Sequence, residues 1–362
     1  MDWQSDPNET VPAFSETLLT WYHRHRRDLP WRHTRDPYPI WLSEVILQQT
    51  RVAQGLPYYR RFLEAYPTVQ DLAAADERDL LRLWQGLGYY SRARNLHQTA
   101  RLIAGHYGGQ FPDRYADLLR LKGIGTYTAA AIASFAFGEK VAVVDGNVFR
   151  VLARIFGITE DITTTAARKT FAALANRLIQ PTDDPASFNQ GLMEFGAIQC
   201  TPVAPDCLLC PFQSRCVAFQ TGRQHLLPVK ARKAPVRERF FNYLVVEQAG
   251  RLAFNERRTR DVWQHLYDFP LVETDEPAEN FRYFSDLPTS LEWLKERSVH
   301  GEAVERTHLL SHQRIRAKFW RVTVPPGTEL VLPPGVRFYE PAEIEQLPKP
   351  ILIVEYLKSQ FF

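Results

Sequence analysis

All four cysteines of this 362-residue chain lie in one short segment, Cys200-x6-Cys207-x2-Cys210-x5-Cys216. Thiols used only as small core hydrophobes would be scattered, so the set reads as one four-thiolate site for a soft metal centre. Pro202, Pro205 and Pro211 keep the segment out of regular structure, and thiolate ligation is a natural way to fix such a loop. The spacing is neither the paired C-x2-C of zinc ribbons nor the C-x2-C-x2-C run of bacterial ferredoxins. Zinc and a [4Fe–4S] cubane both take four thiolates, so spacing alone leaves the metal open. A disulfide framework belongs to small secreted domains and suits this chain less well.

No apolar run approaches the ~20 residues of a membrane span. The N-terminus, MDWQSDPNETVPAF, is acidic and polar where a signal peptide would be basic and then apolar. A reducing, cytoplasmic compartment is therefore expected, and it keeps the thiols available to metal. With 45% hydrophobic residues the chain can bury a large core, and its length suits two or three domains. A net charge of +3 does not by itself imply nucleic acid. The stretches His23 to Arg27 and Lys230 to Arg239 are locally basic, and read equally well as phosphate contacts or as solvated faces.

From Phe14 to about Phe219 apolar residues recur at helical spacing, as in Phe14, Leu18, Trp21 and Tyr22, or Leu80, Leu83, Trp84 and Leu87. Gly and Pro punctuate the pattern into helices of ordinary length, and no strand is expected before residue 235. Thr221 to Arg239 is polar, basic and proline-interrupted, a linker. The expected domains are therefore 1–220, all-α; 221–236, linker; and 237–362, a small α+β domain. In the last, FFNYLVVEQAGRLAFNERR predicts two strands around Gln248-Ala249-Gly250, and AKFWRVTV predicts another near residue 320. LEWLKERSV and ILIVEYLKSQ predict helices.

Leu118 to Gly138 reads as a short helix, a Gly-x-Gly turn and an alanine-rich helix. Gly123 and Gly125 permit left-handed backbone angles and close approach of a ligand. Amides facing outward from Lys122 to Thr126 would suit a phosphate, although a plain inter-helix turn gives the same pattern. Asp145 stands before a helix starting near Gly146, either as its N-cap or as a carboxylate held at the mouth of a cleft. Glu44 has two readings as well. It is a first-turn glutamate behind Ser43 as N-cap, or a carboxyl desolvated by Trp41, Val45, Ile46 and Leu47 and so kept protonated.

In order, LKGIGTYT, VDGNVFR and the four-cysteine loop resemble the helix-hairpin-helix DNA glycosylases that carry an iron–sulfur cluster, the MutY-like adenine glycosylases in particular. WLSEVILQQTRV and WQGLGYYSRARNL match too, so the resemblance runs from about residue 14 to 222. It implies a mainly α helix-hairpin-helix glycosylase domain whose loop 200–216 holds a [4Fe–4S] cluster on Cys200, Cys207, Cys210 and Cys216. The implied activity is base excision repair. Adenine mispaired with 8-oxoguanine or guanine in double-stranded DNA would be flipped out and hydrolysed, by a monomer working at a bacterial nucleoid. Glu44 would protonate adenine N7 and later activate water, while Asp145 stays ionised and stabilises the sugar cation. Tyr127 stands where endonuclease III-like bifunctional enzymes carry a Schiff-base lysine, which implies a monofunctional enzyme. Tyr127 and Asn147 would position the sugar and Asp145.

The resemblance assigns Gln48, Gln49 and Tyr89 to filling the gap left by the flipped base, with the glutamines on a helix. Thr50, Leu87, Gly123 and Gly125 complete its DNA contacts, and Arg215 is expected at the DNA backbone. Leu29, Trp31, Arg32 and Gln190 match the adenine pocket. The C-terminal block resembles the family's Nudix-like domain more loosely, and its REUxEE metal-binding run is absent, so nucleotide hydrolysis is not expected. The loop that inspects 8-oxoguanine reads His308-Leu309-Leu310-Ser311-His312 here. Ser311 and His312 match the family, and Leu310 replaces its aromatic residue. Two other readings stand beside this one: a bifunctional glycosylase/lyase for oxidised pyrimidines, and a non-catalytic, zinc-stabilised DNA-binding protein.

Overall fold

A succession of helices opens the chain: α1 (Pro7–His25), α2 (Pro37–Leu47), α3 (Val52–Ala65), α4 (Val69–Ala74), α5 (Glu77–Leu83) and α6 (Ser91–His106). There follow α7 (Tyr115–Leu118), α8 (Thr126–Phe137), α9 (Gly146–Phe156), α10 (Thr165–Leu178), α11 (Pro185–Glu194) and α12 (Val217–Gln220). Among the described residues no strand precedes Arg237, in line with the all-α reading of this part. The computed structural model describes residues 7–231, 236–279, 302–310, 312–330 and 332–361. They fall into two units. One comprises Met1–Ala74 with Asn95–Arg232, and the other Ala75–Arg94 with Lys233–Phe362.

In the first unit the α1 stripe of Phe14, Leu18, Trp21 and Tyr22 is buried against Phe188, Phe195 and Phe212. The apolar face thus supplies the burial that helix propensity alone does not. Helix α8 packs on α2, where buried Ala130 and Ala131 cluster with Ile40. It stops at Gly138, whose left-handed φ of 71° closes the last turn.

Among the described residues, the second unit is built on a mixed seven-stranded sheet. Strand β1 (Arg237–Gln248) lies beside β2 (Arg251–Glu256), and β3 (Tyr267–Asp268), β4 (Leu271–Thr274), β5 (Val304–Leu309), β6 (Gln313–Val324) and β7 (Val336–Tyr339) complete it. β1 pairs in parallel with β6, in register from Arg237↔Gln313 to Gln248↔Val324, and the other pairings are antiparallel. The expected hairpin is present. Ala249 and Gly250 both take positive φ, 50° and 77°, as a two-residue turn between twisted strands requires. Helices α13 (Pro341–Gln346) and α14 (Ile351–Gln360) end the chain, and Tyr356 stacks on Phe319 at 3.9 Å. LEWLKERSV lies outside the described residues.

Two features of the second unit were not visible in the sequence pattern. Residues 75–94 are held there by polar contacts: the Lys349 amide donates to Gln85 Oε1 at 3.0 Å, Tyr90 donates to the Lys349 carbonyl at 3.3 Å, and Arg94 to the Gln264 carbonyl at 2.8 Å. In the basic stretch Lys230 to Arg239, Arg239 is buried and paired with Asp261 at 2.8 Å and Glu273 at 2.6 Å. It is a structural cation, neither a solvated one nor a phosphate contact.

Candidate active site

Helix α2 begins at Pro37, capped by the Asp36 side chain, so Glu44 sits well inside it. Ser43 is therefore not its cap; that hydroxyl donates to the Ile40 carbonyl at 2.7 Å. The dipole reading of Glu44 falls with it, because the dipole acts only over the first turn. Glu44 is 6% exposed, and its Oε2 accepts from the Tyr127 hydroxyl at 2.6 Å. Burial raises its carboxyl from 4.5 to about 7; the Tyr127 bond and Arg32 pull the other way, and Asp145 adds to the rise. A carboxyl poised there is matched to proton transfer near neutrality.

Asp145 is both a cap and a member of this group. One oxygen accepts from the amides of Asn147 (2.9 Å) and Val148 (2.8 Å), the other from the Asn147 side chain at 2.8 Å. Burial pushes its carboxyl up, and these three bonds and Arg150 oppose that rise. The two carboxyls therefore differ in kind. Glu44 receives a bond from one neutral hydroxyl, and Asp145 three N–H bonds that favour the anion. Tyr127 also touches Met193 Sδ at 3.5 Å, and burial keeps its phenol protonated.

The predicted pocket residues are present with partners of their own. Leu29 and Trp31 are buried, Trp31 edge-on to Tyr59 at 5.2 Å. Arg32 pairs with Glu194 at 2.8 Å, and Gln190 accepts from Tyr22 at 2.6 Å. Arg27, the last residue of the basic HRHRR stretch, is bidentate to Glu194.

The turn residues depart from expectation in instructive ways. Gln48 and Gln49 are not on a helix: α2 ends at Leu47, Gln48 donates to Thr128 at 3.2 Å, and Gln49 is exposed with φ of 57°. Thr50 donates to the Gln48 carbonyl at 3.3 Å. In the other unit Tyr89 is 44% exposed with φ of 47°, while Leu87 is buried. Left-handed angles in non-glycine residues mark stored strain of the kind found at functional sites. Gly123 does take a positive φ, 86°, and a Cβ there would meet Asn95 at 2.8 Å. Gly125 does not; it is the extended N-cap of α8. In the β5–β6 turn His312 is exposed and its carbonyl accepts from the Arg237 amide, while Leu310 is half-buried. Ser311 lies outside the described residues.

The four cysteines are free thiols. They stand near enough for the charge of Cys200 to act on the other three, and burial raises Cys207, Cys216 and Cys210, the last to about 12. Arg154 donates to Cys200 Sγ at 3.4 Å and to the Thr201 and Pro202 carbonyls. Among the described residues no three Cys, His, Asp or Glu side chains are gathered around a single-ion position. Val203, Leu208, Leu209 and Arg215 are exposed on this loop. Arg150, one turn before Arg154 on α9, donates to Asn147 Oδ1, the Gly196 carbonyl and the Cys200 carbonyl. Sequence reading missed Arg150, Arg154, Glu194 and Met193. Arg150 and Arg154 did leave a signal, two arginines four apart in the otherwise apolar VFRVLARIF.

Residues 42–177 match the family model of the HhH-GPD superfamily, described as base excision DNA repair proteins, and residues 242–359 match that of the NUDIX domain. Among solved structures, a thermostable thymine-DNA glycosylase superposes with a TM-score of 0.54 at 33% identity, over 60% of this chain and 100% of its own. An endonuclease III–DNA complex, at 22% identity and a TM-score of 0.51 over 59% of this chain and 97% of its own, shares the fold. The adenine DNA glycosylase of Buchnera aphidicola subsp. Schizaphis graminum is 34% identical over 84% of this chain and 85% of its own length. Those of Mus musculus and Homo sapiens are each 36% identical over 91% of this chain, and over 74% and 70% of their own. Likeness of that extent spans the helical and the Nudix-like parts together, and the chain belongs to the adenine DNA glycosylase family.

Proposed function

We propose that this protein excises adenine from duplex DNA by hydrolysing its N-glycosidic bond, acting on adenine opposite 8-oxoguanine or guanine. The observation that carries the reading is the buried Glu44 carboxyl, held at 2.6 Å by Tyr127 beside the N-capping Asp145. Glu44 donates its proton to adenine N7 as the C1′–N9 bond breaks and its electron pair leaves with the base. Asp145 holds the cationic sugar, by charge or by a transient ester. The Glu44 carboxylate then takes a proton from water as its oxygen bonds to C1′, leaving an abasic site. Tyrosine at position 127 cannot form a Schiff base, which supports a monofunctional reaction. Gln49 and Tyr89 fill the gap, Leu29, Trp31, Arg32 and Gln190 receive the base, and Ser311 and His312 inspect its partner.

Cys200, Cys207, Cys210 and Cys216 are the residues that would hold a [4Fe–4S] cluster. An all-thiolate donor set with the Arg154 guanidinium against one sulfur is the chemistry such a cluster takes. When bound it supplies structural ligation that fixes the proline-rich loop. No helix among the described residues is long and apolar enough to cross a membrane. We take the protein to act as a monomer at the nucleoid of a bacterial cytoplasm.

The test is single-turnover cleavage of duplexes carrying adenine opposite 8-oxoguanine, with Glu44→Gln as control. Excision by the wild type and none by the variant is expected. Borohydride trapping of protein on DNA would favour the lyase reading, and a colourless, iron-free, inactive protein would favour the zinc-stabilised binder.

A further inference from the structure

The end of α11 presents Gln190, Met193 and Glu194 on one helical face. Each is tied to a different element around Glu44: Gln190 to Tyr22, Met193 to Tyr127, and Glu194 to Arg27 and Arg32. Glu194 is the most heavily engaged. It is 1% exposed and accepts from the Arg27 amide at 3.0 Å, Arg27 Nε at 2.8 Å, Arg27 Nη2 at 2.7 Å and Arg32 Nη2 at 2.8 Å.

A buried carboxylate that accepts four N–H bonds is fixed in place and charge. Burial by itself would raise its carboxyl; the two arginines outweigh that and hold it at about 2, so it is ionised throughout the working range. Arg32 is held at three points: its Nη2 on Glu194, its Nη1 on the Arg27 carbonyl at 2.9 Å, and its plane over the Tyr22 ring at 5.7 Å. Two of its five N–H donors are used in these bonds, which leaves donors for the acceptor edge of a purine. Without Glu194, two neighbouring guanidiniums would repel and their long side chains would regain rotamer freedom.

We propose that Glu194 is a positioning residue for base recognition: by bridging Arg27 and Arg32 it holds the Arg32 fork where an extruded purine enters beside Glu44. This assignment rests on the adenine-excision reading. It adds to that reading a residue that touches neither substrate nor reacting atoms.

The test compares binding of wild type, Glu194→Gln and Glu194→Asp to two duplexes. One carries 2′-fluoro-2′-deoxyadenosine, which keeps the base but resists cleavage; the other carries a tetrahydrofuran abasic analogue. A positioning role predicts that Glu194→Gln loses about tenfold in affinity for the base-bearing duplex. Binding of the abasic duplex should be unchanged, and Glu194→Asp, which keeps the charge, should recover part of the loss. Equal losses on both duplexes, or no loss on either, would overturn it. Should Glu194→Gln fail to fold, Glu194→Asp and Arg32→Lys carry the same comparison. Adenine excision by the wild-type preparation is measured first. If it is present, a failed comparison removes only the role of Glu194; if absent, the parent reading falls.

Discussion

Arg150 donates to the side-chain oxygen of Asn147 at 2.8 Å, and its guanidinium also reaches the main-chain carbonyl of Cys200 at 2.8 Å. Asn147 passes the constraint on, donating to Asp145 at 2.8 Å. A single helix, α9, thus joins the carboxylate that caps its N-terminus to the cysteine loop packed along its side. Arg150→Lys keeps the charge but loses the planar fork that serves four acceptors at once. Single-turnover excision should fall by about 10²-fold with duplex affinity little changed. A native rate in a folded variant would break the link.

The Glu44 carboxyl, raised to about 7 by burial, sets a pH dependence for both rate and stability. Excision should decline as pH rises through about 7, because the proton donor is lost. The folded-state value lies above the ordinary 4.5, so the contribution to stability is complete below 4.5 and is lost between 4.5 and 7. Glu44→Gln escapes that loss. Denaturant titrations should find the inactive variant more stable than wild type at pH 8 by up to about 3 kcal/mol, and the two alike at pH 4. Equal stability at both pH values would show that burial does not protonate Glu44.

At Gly196 an added Cβ would lie 2.6 Å from Asn147 Cβ and 3.0 Å from its Cα and carbonyl oxygen. Those atoms are largely backbone, and they cannot swing aside. Gly196→Ala should destabilise by about 1–3 kcal/mol and displace Asn147, lowering excision more than DNA binding. Gly105→Ala is the control. Nothing lies within 4 Å of that Cβ inside α6, and the change should stabilise by about 1 kcal/mol. Melting temperatures and single-turnover rates on both variants decide the matter.

In the second unit, fully buried Asp268 is paired with Arg257 at 2.9 Å and accepts from Tyr243 at 3.3 Å. Burial raises its carboxyl to about 6 against the pull of Arg257. Arg257→Leu leaves a buried carboxylate without its cation, and should destabilise by about 3–5 kcal/mol at pH 7.5. The deficit should shrink as pH falls toward about 6, because Asp268 without Arg257 takes up a proton at higher pH than the paired carboxyl does. A deficit that does not vary with pH would mean lost packing, not lost charge.

Much of the architecture was legible locally. The α1 stripe, the Ala249-Gly250 hairpin and the Ile351–Gln360 helix follow from apolar periodicity and from turn chemistry, which act over a few residues. Gly-x-Gly was half legible: Gly123 needs its positive φ, whereas Gly125 serves as an extended cap. Gln48 and Gln49 continue the helical pattern in sequence, yet α2 ends at Leu47, because helix ends follow from caps and packing more than from propensity.

From residue order alone came two kinds of information: which segments are helix or strand, and which residue types the chemistry has at its disposal, namely four thiols, two carboxyls and a tyrosine. Their meaning was decided by the fold. Glu44 and Tyr127 are 83 positions apart, and Arg27 and Glu194 are 167 apart, yet each pair shares a hydrogen bond. The raised Glu44 and the depressed Glu194 are the same side chain in two surroundings, one desolvated beside a neutral hydroxyl and the other clasped by two guanidiniums. Desolvation and charge pairing are properties of three-dimensional neighbourhood, and no local pattern encodes them.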